Sequence, residues 1–175
     1  FMIIYTSGTT GSPKGAMISN RAFFDLKRIC TPLWGIAEDS VLLVNLPMFH
    51  IGGIGWSTMA TYLGGTAVVV RENLPSELLE VVERHKVTNC FLVPALLQFM
   101  TAVPGVEERD FSYLRVMLYG AAPISVEVLK RSMRIFGCKF AGAYGLTESC
   151  NGVTTLPWED HDADGPRAHL LQSAG

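Results

Sequence analysis

Short apolar runs alternate with segments of helical periodicity along this 175-residue chain, and the alternation limits its fold more than any other property. Strands separated by helices are typical of layered α/β domains with a largely parallel sheet. We therefore predict one α/β domain in which helices flank such a sheet, ending in an irregular polar tail. The predicted strands cover 1–5, 41–46, 66–70, 89–93, 115–119 and 138–143, with a short extension at 153–155. The predicted helices cover 21–33, 52–63, 75–86, 94–103 and 125–136.

Four segments rich in glycine or polar residues follow predicted strands, at 6–15, 47–53, 120–123 and 144–149. In open α/β sheets, ligands bind in the crevice at the carboxyl ends of the strands. We therefore expect these four segments to share one rim of the sheet and to form a single composite site.

The first of these segments is the strongest candidate for binding phosphate. Residues 5–15 read YTSGTTGSPKG, which combines three glycines with several hydroxyls and one lysine. Glycine lets the backbone approach a ligand, successive N–H groups bind anions, and the lysine adds a point charge. The loop is not a Walker P-loop, because its lysine follows proline and precedes glycine. The residues predicted to hold a polyphosphate are Thr6, Ser7, Gly8, Thr9, Thr10, Gly11 and Lys14.

A second motif, YGLTE at 144–148, follows the strand predicted at 138–143. Together with the glycine-rich loop, it resembles the signature motifs of the adenylate-forming enzymes: acyl-CoA synthetases, firefly luciferase and the adenylation domains of peptide synthetases. The resemblance implies that the Tyr144 ring lies against adenine, that the Thr147 hydroxyl contacts phosphate and that Glu148 holds Mg²⁺. The chemistry agrees, since an aromatic face suits a base and Mg²⁺ prefers carboxylate and phosphate oxygens.

A third segment, at 120–123, resembles the Gly-Gly-Ala-Pro segment of the same family, which lies along the adenine and the acyl site. Taken alone, it reads equally well as a plain turn between a strand and a helix. Alanine replaces the second glycine, and we expect this change to narrow the acyl pocket. The cofactor-binding residues that the resemblance adds to the phosphate loop are Gly120, Ala121, Ala122, Pro123, Tyr144, Gly145 and Thr147.

His50 is the fourth point of resemblance. Taken alone, a histidine in an apolar stretch is best interpreted as a core residue. In acyl- and aryl-CoA synthetases, however, a Pro-x-Phe-His segment like 47–50 borders the carboxylate end of the acyl pocket. Amino-acid-activating relatives carry an aspartate there for the substrate ammonium, and an ammonium buried without a partner is costly. The histidine therefore disfavours an amino-acid substrate, and the resemblance assigns catalytic roles to Lys14, His50, Thr147 and Glu148.

The composition disfavours several other classes of protein. A net charge of −2 is unlike that of a general nucleic-acid binder, which is usually basic. The four cysteines are scattered without a CxxC pair, which predicts buried thiols in a reducing cytoplasm, with no zinc or redox motif. Residues 40–70 lack charge but are interrupted by proline and glycine, so no spanning helix is expected, while peripheral membrane contact stays open. The acidic run around 160–164 is interpreted as a solvated loop.

The resemblance implies a reaction in two steps. A fatty or aromatic carboxylic acid attacks the α-phosphate of MgATP to give an acyl-adenylate and pyrophosphate, and the thiol of coenzyme A then displaces AMP. Family members are several-fold longer, so we expect 1–175 to be part of an AMP-binding domain that lacks the small C-terminal domain and is inactive alone. A luciferase-like or other adenylating enzyme, a P-loop NTPase and a non-catalytic scaffold remain alternatives, and the oligomeric state is open.

Overall fold

The structure is a computed structural model that describes residues 1–8 and 11–175. The strands are β1 (Met2–Thr6), β2 (Lys14–Ile18), β3 (Val41–Val44), β4 (Thr66–Val69), β5 (Asn89–Leu92), β6 (Val116–Gly120), β7 (Lys139–Leu146) and β8 (Asn151–Leu156). The helices are α1 (Asn20–Leu33), α2 (Ile51–Leu63), α3 (Pro75–Arg84), α4 (Pro94–Thr101) and α5 (Val126–Phe136), with 3-10 turns at Val106–Glu108, Trp158–Asp160 and Ala168–Gln172.

Six of the strands form one sheet in the order β4-β3-β5-β6-β7-β8, and every pair except the antiparallel β7–β8 is parallel. Both faces of this sheet are covered, as parallel sheets require. Successive residues point to opposite faces, so that Leu43 packs with α3, α4 and α5, whereas Leu42 and Val44 pack with α1 and α2. The predicted layered α/β fold is therefore confirmed.

Local signals explain where the helices begin and end. Ser19 and Ser125 are N-caps whose hydroxyls accept hydrogen bonds from backbone N–H groups three residues on, and prolines occupy the first positions of α3 and α4. Gly64 and Gly137 end α2 and α5 in the left-handed conformation. These residues therefore account for the starts of α1, α3, α4 and α5 and for the ends of α2 and α5.

Two predictions about strands and loops were wrong. β1 does not join the parallel sheet; it pairs antiparallel with β2, a strand that was not predicted. β7 continues to Leu146, so the first half of the YGLTE motif is strand and not loop, because pairing with β8 extends it. On α1, Ile29 is 54% exposed, whereas Lys27 is buried.

The tail after β8 is more ordered than its composition suggested. His161 is buried: its Nδ1 lies 2.9 Å from the carbonyl oxygen of Pro157, and its Nε2 lies 3.0 Å from the Tyr119 hydroxyl on β6. A carbonyl only accepts, so Nδ1 carries the proton and Nε2 accepts from Tyr119. The solvated-loop interpretation is thus wrong at His161. Among the described residues, every helix is too short or too polar to cross a membrane.

Candidate active site

The glycine-rich loop connects the two strands of the β1–β2 hairpin. Thr6 and Lys14 face each other at its base, where the Thr6 hydroxyl donates to the Lys14 carbonyl oxygen over 3.4 Å. Gly8 has a φ of 61°, and a Cβ there would stand 2.7 Å from the Ser12 carbonyl oxygen, so this position requires glycine. The Lys14 side chain is exposed. Thr9 and Thr10 lie outside the described residues.

The YGLTE motif ends β7 and forms a tight turn into β8. A bulge lies between Tyr144 and Gly145, and a Cβ on Gly145 would stand 1.2 Å from the carbonyl oxygen of Asn151. The Ser149 hydroxyl lies 3.0 Å from the amide nitrogen of Leu146 and 2.9 Å from its carbonyl oxygen, which closes the turn. The turn presents the Glu148 carboxylate at the surface, beside the half-buried Thr147.

His50 is the N-cap of α2 and is exposed, so it is not a core residue. Its Nδ1 accepts a hydrogen bond of 2.9 Å from the amide of Gly52. A nitrogen that accepts carries no proton, so in the neutral ring the proton is on Nε2. The cap therefore fixes the ring orientation and leaves Nε2–H as a donor.

One cavity of about 790 Å³ brings these elements together. The residues proposed from the sequence that line it are Thr6, Ser7, Gly8, Lys14, His50, Ala121, Tyr144, Gly145, Thr147 and Glu148. A second cavity of about 450 Å³ adjoins it and is lined by 120–124, 142–146 and 171–174, so Gly120, Ala122 and Pro123 face this chamber. Gly11 is exposed and lines neither cavity.

Ala121 belongs to the wall that the two cavities share. Its φ is 66°, a left-handed conformation that alanine rarely adopts. The cause is its position at the sharp turn by which the chain leaves β6 for α5.

Several lining residues were not found from the sequence. Phe91 and Val93, at the end of β5, and Asn151 and Gly152, at the start of β8, line the larger cavity. The segment 171–174 lines the smaller one because Leu171 is buried and holds it against the sheet. The apolar Leu171 was a sequence signal that the segment 171–174 packs against the domain. The place of Asn151 and Gly152 in the cavity depends instead on the register of β8, which the sequence does not show.

Lys14 is the one lysine or arginine, and Glu148 the one carboxylate, among the described residues that line these cavities. Within the described part of the chain, no three His, Cys, Asp or Glu side chains are grouped so as to hold a metal ion. A metal at this place would therefore need ligands from a bound molecule in addition to Glu148.

The buried side-chain amine of Lys27 lies near Cys150, the residue that immediately precedes β8. Lys27 is 1% exposed, its Nζ has no hydrogen-bond partner among the described residues, and it stands 3.4 Å from the centre of the Phe23 ring. Burial lowers the pKa of Lys27 to about 8 and raises the pKa of its neighbour Cys30 to about 11; Cys150 is also close.

The family model described as AMP-binding enzyme matches residues 1–175. The chain belongs to the AMP-binding enzyme family. Similar members of this family include the fatty acid–[acyl-carrier-protein] ligase ScoC of Streptomyces coeruleorubidus, which is 36% identical over 98% of this chain and 33% of its own length. Feruloyl-CoA synthase of an Amycolatopsis species is 34% identical over 99% of this chain and 34% of its own length.

The fold of this AMP-binding chain is also found in a solved structure, that of O-succinylbenzoate coenzyme A synthetase (MenE) from Bacillus subtilis in complex with ATP and magnesium ion. It superposes with a TM-score of 0.79 and 30% identity, over 90% of this chain and 32% of that one. The chain thus spans about a third of the length of the curated relatives it matches.

Proposed function

We propose that this chain is the central part of an adenylating domain that activates a carboxylic acid with ATP, and that the full-length protein transfers the acyl group to coenzyme A. The observation that carries the proposal is that Lys14 lines the same cavity as Thr147 and Glu148, although Lys14 belongs to the β1–β2 hairpin and the other two to the distant turn between β7 and β8. A cation, a hydroxyl and a carboxylate around one chamber suit a polyphosphate and its counter-ion.

The residues of the chain contribute mainly position and charge to this reaction. The acid's carboxylate oxygen attacks the α-phosphorus, and the bond from that phosphorus to the oxygen bridging to the β-phosphate breaks, which releases pyrophosphate. Lys14 and the loop amides stabilise the negative charge that moves onto the pyrophosphate. His50 Nε2–H donates to a carboxylate oxygen and orients the acid, while the Tyr144 ring offers a face to adenine.

The donor set at Glu148 fits Mg²⁺, which is held in proteins by one or two carboxylates together with substrate phosphates. When bound, the ion neutralises phosphate charge. Glu148 is exposed and adjacent to Thr147, so the carboxylate would hold the ion while the Thr147 hydroxyl donates to a phosphate oxygen.

Coenzyme A is proposed as the acceptor because two of the relatives described above carry it in their names, whereas ScoC is named for an acyl carrier protein. The four cysteines are free thiols, which suits a cytoplasmic location. The acid is proposed to be fatty or aromatic because Leu46, Ile51 and Phe91 line the larger cavity.

The test is acid-dependent exchange of labelled pyrophosphate into ATP by the full-length protein, over a panel of fatty and aromatic acids. Lys14→Ala and Glu148→Ala should each lower exchange at least about 100-fold, the usual cost of removing a transition-state charge contact. Lys139→Ala and Glu80→Ala, exposed and outside both cavities, are the matched controls.

Release of phosphate instead of exchange would indicate an NTPase, and oxygen consumption by the adenylate would indicate a luciferase-like enzyme. Equal rates in the two cavity variants and their controls would remove the roles assigned to Lys14 and Glu148. Product analysis with coenzyme A and with an acyl carrier protein then identifies the acceptor.

A further inference from the structure

The larger cavity has a polar side and an apolar side. The phosphate loop, His50 and the Tyr144–Glu148 turn supply the polar groups, while Leu46, Ile51 and Phe91 supply apolar surface. Since the reacting carboxyl must lie with the phosphates, the rest of the acid extends along the apolar surface. This division rests on the proposed function.

Asn151 is a polar lining residue that belongs to none of those polar elements. Its backbone pairs with Leu146 and accepts a hydrogen bond from the Ser149 hydroxyl, but its side-chain amide has no hydrogen-bond partner within 1–8 and 11–175. The Asn151 Nδ2 lies 3.4 Å from the point where a Cβ on Gly55 would stand, so the amide lies against α2 at this residue.

The distance from the carboxylate end can be worked out along α2. Gly55 follows the N-cap His50 by five residues, and a helix rises about 1.5 Å per residue, which gives about 7.5 Å along the axis. Gly52, Phe91 and Asn151 all line the cavity, and the Asn151 amide lies against Gly55 on α2. An aromatic acid whose carboxyl is held at His50 would therefore have its far edge near the Asn151 amide.

We propose that Asn151 determines specificity by hydrogen-bonding a hydroxyl at the far end of the acid, so that the preferred substrates are hydroxylated aromatic acids and not plain fatty acids. A side-chain amide both donates and accepts, which matches a hydroxyl. A site built to bond a hydroxyl discriminates against the analogue that lacks it, since its own polar group is then left without a partner.

The backbone of Asn151 offers a competing explanation. Its φ is 108°, in the positive range where asparagine is tolerated better than most residues and glycine best of all. Asn151→Gly separates the two explanations, because it keeps or relieves the backbone conformation and removes only the amide.

The experiment measures kcat/KM for pyrophosphate release by the full-length protein with 4-hydroxybenzoate against benzoate and with 4-hydroxycinnamate against cinnamate. We expect the wild-type protein to prefer the hydroxylated member of at least one pair by about tenfold, the value of one neutral hydrogen bond. Asn151→Gly should lower kcat/KM for that acid alone and bring the ratio close to one. Gly55→Ala, whose Cβ would touch the Asn151 amide, should lower the same ratio.

An unchanged ratio in Asn151→Gly would overturn the inference, and the asparagine would then be explained by its positive φ alone. A wild-type protein that turns over benzoate, cinnamate or fatty acids without favouring hydroxylated ones would also overturn it, while the proposed function stands. If no acid supports pyrophosphate release, both proposals fail together.

Discussion

Replacing Lys27 with methionine should stabilise the domain, although it removes a charged residue from a helix. In the folded state the Lys27 ammonium is buried, lacks a hydrogen-bond partner among the described residues and lies 3.4 Å from the centre of the Phe23 ring. Methionine has a similar length, needs no partner and makes favourable sulfur contacts with an aromatic ring. The substitution therefore removes a desolvation cost and keeps most of the packing.

The magnitude follows from the pKa of Lys27, which burial lowers from 10.5 to about 8. A shift of this size corresponds to about 3 kcal/mol against the charged form. The cation–π contact with the Phe23 ring stabilises the charged form of Lys27 by on the order of 1 kcal/mol and so offsets part of this cost. We therefore expect Lys27→Met to raise the free energy of unfolding by about 2 kcal/mol at pH 7.

The dependence on pH has a definite sign. Between the folded pKa of about 8 and the unfolded pKa of 10.5, the unfolded chain holds the Lys27 proton more tightly than the folded one. Stability therefore rises with pH in that window, by on the order of 1 kcal/mol between pH 7 and pH 9. Above pH 9 the raised pKa values of thiols such as Cys30 act in the opposite direction, so the comparison ends there.

The assay is urea unfolding of the wild-type and Lys27→Met proteins at pH 7, 8 and 9, followed by tryptophan fluorescence, to which the buried Trp34 and Trp56 contribute. The gain in the variant should be largest at pH 7 and shrink toward pH 9. Lys139→Met is the control: Lys139 also lies over an aromatic ring, that of Trp158, but is exposed, so no pH-dependent gain is expected. A variant that is less stable than wild type, or a gain independent of pH, would refute the reasoning.

Two further substitutions test the packing around the cavities. Tyr119→Phe should lower the free energy of unfolding by about 1–3 kcal/mol, because the buried His161 Nε2 loses its donor; a change below a few tenths of a kcal/mol in urea unfolding would contradict this hydrogen bond. Gly145→Ala should disrupt the bulge, since its Cβ would stand 1.2 Å from the Asn151 carbonyl oxygen, and limited proteolysis should then cut the β7–β8 turn rapidly. Wild-type resistance to the protease in that variant would show that the close approach is not needed.

The positions along the chain of the helices and of most strands of the six-stranded sheet were predictable because their signals are local, whereas the order of the strands within the sheet was not predicted. Serine caps, initial prolines and terminal glycines mark the helix ends, and apolar runs mark buried strands. β2 was not predictable in this way, since Lys14–Ile18 alternates weakly, its Met17 is 85% exposed, and it exists as a strand only because β1 pairs with it.

The candidate site was predictable to the extent that it depends on strand ends. Each of the four segments contributes at least one residue to the lining of the larger cavity, with Lys14 and Glu148 among them, whereas Gly120, Ala122 and Pro123 line the adjoining one. The roles assigned to those residues stay predictions. Asn151 could not be found, because its place in the cavity depends on the register of β8 against β7 and on a bulge at Gly145. The burial of Lys27 depends on what packs over α1, which helical periodicity does not show.

At Ala121, the left-handed backbone conformation favours glycine for stability, whereas the alanine methyl group narrows the two cavities. Glycine at this position would relieve about 1 kcal/mol of backbone strain and would widen both chambers through the loss of one methyl group. A substitution that raises the stability of the fold at position 121 therefore also enlarges the cavities, and one that narrows the cavities costs stability. Relatives that carry glycine at this position are expected to be more thermally stable and less selective than relatives that carry alanine.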